Sequence, residues 1–321
     1  VRYPKLVYQT SFYTVCMPDT LVSTPSIIER LSAARAASIP LATATTEVKN
    51  RALAAIAQGI LDSADAIIEA NDLDLANGRE NGLSAALQDR LRLDPARLTG
   101  LSDSVRQIVS LVDPVGEAVR GQTLPNGLKI SEVRVPFGVV GAIYEARPNV
   151  TIDIAALALK SGNAAVLRGG SAAENSNRVL VRVIQDAIAS VGLPAEAVQT
   201  IDEFGRDGAT QLMQARGYVD VLIPRGSANL INTVVAESKV PVIETGAGVV
   251  HVFLDESAGE RLAADIVHNA KVQRPSVCNA LETLPVHASS AERLLPPVLG
   301  KLRDAGVTIH ADDRSRAIFA D

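Results

Sequence analysis

The stretch Phe137-Gly-Val-Val-Gly-Ala-Ile-Tyr144 decides the fold. It is a short, largely apolar run, and Pro136 stands immediately before it. Read as a strand over 138–144, it starts a regular alternation. A helical pattern covers 152–161 and stops at Gly162-Asn163, and a second apolar run covers 164–168. Further helix patterns over 176–191, 207–216 and 228–238 separate strand candidates at 198–201, 219–224 and 240–244. Such alternation predicts an α/β fold with a five-stranded parallel sheet and helices on both faces.

On the N-terminal side the chain reads as helices from 24 to about 112. The Ala-rich run from Glu47 to Leu61 has apolar residues at helical spacing, and 64–76 follows it. Asn77-Gly78 and Asn81-Gly82 read as breaks, whereas Asp94-Pro95 reads as a cap and first helical residue. Two short extended runs, 118–123 and 128–135, flank the turn signal Leu124-Pro-Asn-Gly127 and predict a projecting β-hairpin. On the C-terminal side a second α/β set is expected, with strands at 249–254, 280–286 and 307–310 and helices ending near Lys271 and Ala305. This divides the chain into 24–115 (helices), 116–135 (hairpin), 136–245 (first α/β set) and 246–321 (second α/β set). Residues 1–16 carry Tyr3, Tyr8, Phe12 and Tyr13 in a chain with only five Tyr and five Phe, so 1–23 is expected to be a non-native or disordered extension.

Composition narrows the function. The 321 residues suggest two or three domains, and 47% apolar content supports a large core. Lys plus Arg is 31 and Asp plus Glu is 36, giving −5, and no basic stripe with interleaved aromatics supports nucleic-acid binding. No apolar run approaches the roughly 20 residues that span a bilayer. Two distant cysteines fit a reducing cytoplasm, and the four histidines lack metal-ligand spacing, so no metal is expected. Neither G-x-G-x-x-G nor G-x-x-x-x-G-K-[ST] occurs.

Chemistry concentrates at Lys271-Val-Gln-Arg-Pro-Ser-Val-Cys278-Asn-Ala280. Pro275 breaks a helix there, and a thiol at such a break can project into a cleft. The bland alternative for Cys278 is a small buried hydrophobe.

Val135-Pro-Phe-Gly-Val-Val-Gly-Ala-Ile-Tyr-Glu-Ala-Arg-Pro-Asn-Val150 resembles the nucleotide-domain entry of the γ-glutamyl phosphate reductases, a branch of the aldehyde dehydrogenase superfamily. Leu159–Gly170, Val221–Gly226, Pro241–Gly248 and the Cys278 stretch resemble the same family in order and spacing. The resemblance implies an aldehyde dehydrogenase-like fold, with 136–245 as the NADP-binding domain and 246–321 as an incomplete catalytic domain, and reduction of L-glutamyl 5-phosphate by NADPH to glutamate 5-semialdehyde and phosphate, the second step of proline synthesis from glutamate. By the same resemblance Cys278 is the nucleophile and Asn149 an oxyanion-hole donor, although Asn149 also reads as a turn or helix-cap residue ahead of the 152–161 helix. Arg168, Gly169, Gly170 and Ser171 fall where the adenosine ribose is held, with Arg168 and Ser171 able to meet a 2′-phosphate. Arg225, Gly226 and Ser227 open a helix whose free backbone N–H groups suit the pyrophosphate. Arg147, Arg274 and Ser276 are candidates for the substrate's anionic groups. Glu244 matches the general base of oxidative relatives, a role that an acyl-phosphate reductase does not need. The family further implies a homo-oligomer at full length, coupling to glutamate 5-kinase and a cytoplasmic location. Family members run beyond the position of Asp321, so the chain is expected to be a C-terminally shortened form. The competing expectations are an acylating dehydrogenase for another acyl group, such as an acyl-CoA, and a non-catalytic remnant.

Overall fold

The computed structural model describes residues 25–319 except Ala146, Ala247 and Ser276. The expected extension over 1–23 therefore lies outside the described residues, as does Cys16.

The described chain opens with helices α1 (Ile27–Ala42), α2 (Thr46–Asp62), α3 (Ala64–Glu80), α4 (Ala85–Leu91) and α5 (Pro95–Ser110). Ser26 starts α1 with a capping box: its hydroxyl accepts from Glu29 N at 3.3 Å, and the Glu29 carboxylate accepts from Ser26 N at 2.6 Å. Asp94 caps α5 as the sequence indicates, accepting from Arg97 N at 2.9 Å with Pro95 in the first turn. One break is corrected. α3 runs straight through Asn77-Gly78 and stops at Asn81-Gly82, where Gly82 takes φ of 72°. Gly78 is buried in the helix, and a Cβ on it would lie 3.4 Å from Leu83 Cδ2. Tight packing there offsets the helix cost of glycine, about 1 kcal/mol.

β1 (Ala118–Thr123) and β2 (Lys129–Val133) form an antiparallel hairpin exposed on both faces. Then come β3 (Val139–Tyr144), α6 (Pro148–Lys160), β4 (Ala164–Arg168), α7 (Glu174–Ser190), β5 (Val198–Thr200), α8 (Gly205–Met213), β6 (Val221–Arg225) and α9 (Ala228–Glu237). The strands form a parallel sheet in the order β5-β4-β3-β6. β3 is buried along its whole length. At Gly141 a Cβ would come within 2.4 Å of Leu222 Cδ2, so the close approach of β3 to this side chain requires glycine.

The fifth strand expected at 240–244 is not a strand. It reduces to one bridge, Leu222 with Val242, where Leu222 N donates to Pro241 O at 2.8 Å and Ile243 N to Leu222 O at 2.9 Å. The next donor on that side of β6 belongs to Pro224, which has no N–H, so the ladder cannot continue.

The remaining elements are α10 (Glu260–Val272), α11 (Ala291–Asp304) and α12 (Asp313–Ile318). They pack on a separate apolar cluster that includes Leu254, Val267, Leu281, Leu294 and Val298. The strands expected at 249–254 and 280–286 appear only as the parallel bridges His251–Thr283 and Leu254–Val286. Thr283 N donates to Val250 O at 3.0 Å and His287 N to Leu254 O at 2.9 Å. The donor due between them is residue 285, a proline, which again interrupts the ladder. No strand forms over 307–310.

Candidate functional site

β3 delivers its C-terminal end to the start of α6, and the first turn of that helix carries the polar groups. α6 begins at Pro148, earlier than the expected 152, because proline is preorganised for a first helical position. Arg147 is consequently its N-cap residue, and Asn149 lies inside the first turn. Asn149 makes no capping bond, and its Nδ2 instead donates to Asp153 Oδ2 at 3.2 Å, one turn on.

Cys278 occupies a turn after α10. The turn is fastened at its base: Leu281 N donates to Ala270 O at 2.9 Å, and Lys271 Nζ to Leu281 O at 2.9 Å. At its apex the thiol is free and exposed, so the buried-hydrophobe reading fails. Ser276 lies outside the described residues.

A cavity of about 400 Å³ joins these pieces. Arg147, Asn149 and Asp153 line it from the start of α6, Arg274 and Val277 from the Cys278 turn, and Arg90, Arg92 and Arg97 from the end of α4, the link after it and the first turn of α5. Arg97 is mainly a brace: it donates to Arg92 O at 2.9 Å and to Asp89 Oδ1 at 2.6 Å, folding the segment that presents Arg90 and Arg92. Asp89 also faces Arg274 at 4.0 Å, and the Arg97 hydrogen bond, with nearby guanidinium charge, holds its carboxyl below the usual range. Arg147 is half-buried and has no hydrogen bond or ion pair from its guanidinium among the described residues. Burial lowers its pKa, as does repulsion from Arg90, Arg225 and Arg274, while Cys278 acts in the opposite direction.

The sequence singled out Arg147, Asn149 and Arg274 around Cys278, and the structure gathers these three in one cavity, with Val277, the neighbour of Cys278, in its wall. It missed Arg90, Arg92, Arg97 and Asp153. The dense basic run Arg90-Leu-Arg92 ahead of the Asp94-Pro95 helix start was the available signal. Glu244 is not part of this cavity: it is exposed and makes no hydrogen bond or ion pair among the described residues.

A second polar centre lies at the end of β4. Gly169 N donates to Asp202 Oδ1 at 2.6 Å, and Asn177 Nδ2 to Asp202 Oδ2 at 2.8 Å. Thr151 Oγ1 donates to Asn177 Oδ1 at 2.8 Å, which leaves its lone pairs for the Tyr144 hydroxyl at 2.7 Å. Burial raises the pKa of Tyr144, reinforced by Asp202, and burial also raises that of Asp202 against the bonds it accepts. A Cβ at residue 169 would sit 2.2 Å from Asn177 Nδ2, so only glycine fits. Gly170 is half-buried and Ser171 exposed beside it. Arg168 Nε donates to Gly205 O at 3.3 Å, and its other nitrogens make no hydrogen bond among the described residues.

The strand order reverses between β3 and β6, so the crevice of an open α/β sheet opens at their C-terminal ends. Arg225, Gly226 and Ser227 stand there. Ser227 caps α9, accepting from Leu230 N at 3.4 Å. Its own N–H is already engaged by the Glu145 carboxylate at 3.0 Å, which corrects the expectation of a wholly free amide loop. The N–H groups of Ala228 and Asn229 have no partner among the described residues. They therefore fit a phosphate, provided Glu145 swings aside.

This parallel sheet, its crevice and a thiol presented beside it define the class, and residues 22–315 match the family model of the aldehyde dehydrogenase family, to which the chain belongs. Its members are oxidoreductases that use a nicotinamide cofactor. The γ-glutamyl phosphate reductase of Leifsonia xyli subsp. xyli is 69% identical over 288 residues, covering 90% of this chain and 68% of that protein. That of Clavibacter michiganensis subsp. michiganensis is 63% identical over 291 residues, covering 91% and 67%. The solved γ-glutamyl phosphate reductase of Thermotoga maritima superposes with a TM-score of 0.85 at 40% identity, covering 92% of this chain and 71% of that one. The chain thus groups with the γ-glutamyl phosphate reductases and spans about two thirds of the length of these curated relatives. An acetylating aldehyde dehydrogenase from Geobacillus thermoglucosidasius shares the fold, at a TM-score of 0.65 and 19% identity. Among the described residues, no helix is long and apolar enough to cross a membrane.

Proposed function

We propose that the chain acts in the reduction of L-glutamyl 5-phosphate to L-glutamate 5-semialdehyde and phosphate, the proline-forming route from glutamate. The observation that carries this reading is Arg147: a half-buried guanidinium with no carboxylate partner, beside Cys278 and among other arginines. An acyl phosphate supplies the missing anion and presents an activated carbonyl. The Cys278 thiolate attacks that carbonyl carbon, the C–S bond forms, and the C–O bond to phosphate breaks with the electron pair leaving on phosphate. Arg147 and Arg274 receive the charge. Asn149 donates to the carbonyl oxygen as it becomes anionic, a contribution on the order of 3 kcal/mol for one well-placed donor. NADPH, when bound, supplies the hydride that converts the thioester to the aldehyde. Collapse of the resulting oxyanion returns the thiolate. Arg168, Gly169, Gly170 and Ser171 hold the adenosine side, and the open nitrogens of Arg168 favour NADPH over NADH by binding a 2′-phosphate. Arg225, Gly226 and Ser227, with the first amides of α9, face the pyrophosphate. Glu244 has no step to perform. Charge concentrated beside the thiol favours a phosphate leaving group over a CoA thiol.

The same reading places the protein in the cytoplasm. The exposed Val119, Ile130 and Val133 on the hairpin support a homo-oligomer. The instability of acyl phosphates in water supports delivery from glutamate 5-kinase.

The test is phosphate release from L-glutamyl 5-phosphate by the purified chain. Arg147→Ala is expected to lower the rate roughly a hundredfold through loss of a charge-assisted contact, with Arg147→Lys recovering part of it. Unchanged rates in both variants would remove the basis of the reading.

A further inference from the structure

The cavity beside Cys278 is unequal in charge. Among the described residues five arginines line it (Arg90, Arg92, Arg97, Arg147 and Arg274), and Asp153 is the only carboxylate in its wall. Asp153 is half-buried on α6 and forms no ion pair with Arg92, Arg97, Arg147 or Arg274. Among the described residues its side chain has one hydrogen bond, which its Oδ2 accepts from Asn149 at 3.2 Å, and this leaves Oδ1 open. Burial raises its pKa against the pull of Asn149 and Arg225. A carboxylate kept in an arginine pocket without an arginine partner lowers the affinity for a purely anionic ligand. It raises the affinity for a ligand that brings a cation of its own.

We propose that Asp153 is a specificity-determining residue that accepts the α-ammonium of the substrate, so that the site selects the acyl phosphate of an amino acid over that of a plain dicarboxylic acid. This rests on the substrate reading above. L-Glutamyl 5-phosphate has two anionic ends and one ammonium, and the cavity offers a surplus of guanidinium groups and one carboxylate. Asp153 lies one helical turn from Asn149. The group that would orient the carbonyl and the group that would hold the amino end therefore share one rigid helix face.

The test measures binding to the chain by calorimetry with two stable probes. One is the phosphonate analogue of L-glutamyl 5-phosphate, with a methylene in place of the bridging oxygen, and the other is its deamino counterpart. The parent should bind the amino-bearing probe roughly tenfold more tightly, the scale of one hydrogen bond between charged groups. Asp153→Asn should erase that preference while binding the deamino probe at least as well as the parent does, and Asp153→Glu should retain part of it. Equal affinities in the parent, which need no variant, would overturn the proposal, as would a preference that survives Asp153→Asn. Either result leaves the substrate reading standing. Binding of neither probe would overturn the substrate reading, and the role of Asp153 with it.

Discussion

At the end of β4, Gly169 is clamped by Asp202, which is held by Asn177, which is held by Thr151, whose hydroxyl in turn bonds that of Tyr144, all of them buried or nearly so. At the turn after α10, Cys278 is exposed and only the base of its turn is fastened. On the proposed function the two regions would serve one reaction under opposite constraints. A cofactor-binding loop gains from preorganisation, because each ordered group costs entropy if it must be fixed on binding. A nucleophile must stay accessible, so on the same proposal its order would come from the substrate bridging it to Arg147. The surrounding bodies show the same contrast. The first contains a sheet and a buried ion pair, Lys49 with Asp113, with side chains 1% and 9% exposed. The second contains isolated bridges, and its ion pairs, such as Lys301 with Asp265, lie on the surface.

The comparison breaks if the exposed thiol proves dispensable. Cys278→Ser should lower turnover by about 10³-fold or more while leaving the melting temperature unchanged, since the side chain packs against little. Retained turnover measured on the purified variant would return Cys278 to a passive role.

The next effect is on stability. Asp113→Ala leaves Lys49 buried without its partner and should cost about 3 kcal/mol in denaturant unfolding, with activity per folded molecule unchanged. Burial alone would raise the Asp113 pKa, but the bonds from Lys49, Thr46 and Val115 outweigh it and hold the value below the ordinary 3.8. The contribution is therefore present above 3.8 and is lost as pH falls through the lower folded value. The stability gap between parent and Asp113→Ala should narrow in that acid window, and a constant gap would show that the pair does not titrate as described.

The smaller effect sharpens the contrast. Asp202→Asn keeps the shape but turns one acceptor into a donor facing Gly169 N–H or Asn177. Stability should fall by about 2 kcal/mol. Cofactor affinity should weaken and the alkylation rate of Cys278 should not change. Loss of thiol reactivity as well would mean the two regions are coupled more tightly than their separate polar networks indicate.

The parts visible in the sequence were those encoded locally. β3 and β4 are short apolar runs between helix signals, and the hairpin turn is written in Leu124-Pro-Asn-Gly127. The strands expected at 240–244 and 280–286 failed because Pro224 and Pro285 fall on donor positions that only the pairing register reveals. α3 passes Asn77-Gly78 because Gly78 packs into a tertiary contact. In the site, Arg147, Asn149 and Cys278 stand in recognisable strings. Arg90 and Arg92 stand in a visible basic run, but they reach the cavity only because α5 packs against α6, a long-range arrangement that the run does not encode. The N–H of Ser227 read as free because its partner, Glu145, is far away in sequence.

The central claim is that Cys278 takes the acyl group directly from an acyl phosphate. Peptide mapping of the chain after rapid acid quench with L-glutamyl 5-phosphate, in the absence of NADPH, tests it most directly. The account predicts a γ-glutamyl thioester on the peptide containing Cys278, formed together with released phosphate and absent from Cys278→Ser. Phosphate release with no acyl group on that peptide, or an acyl group on another residue, would contradict it.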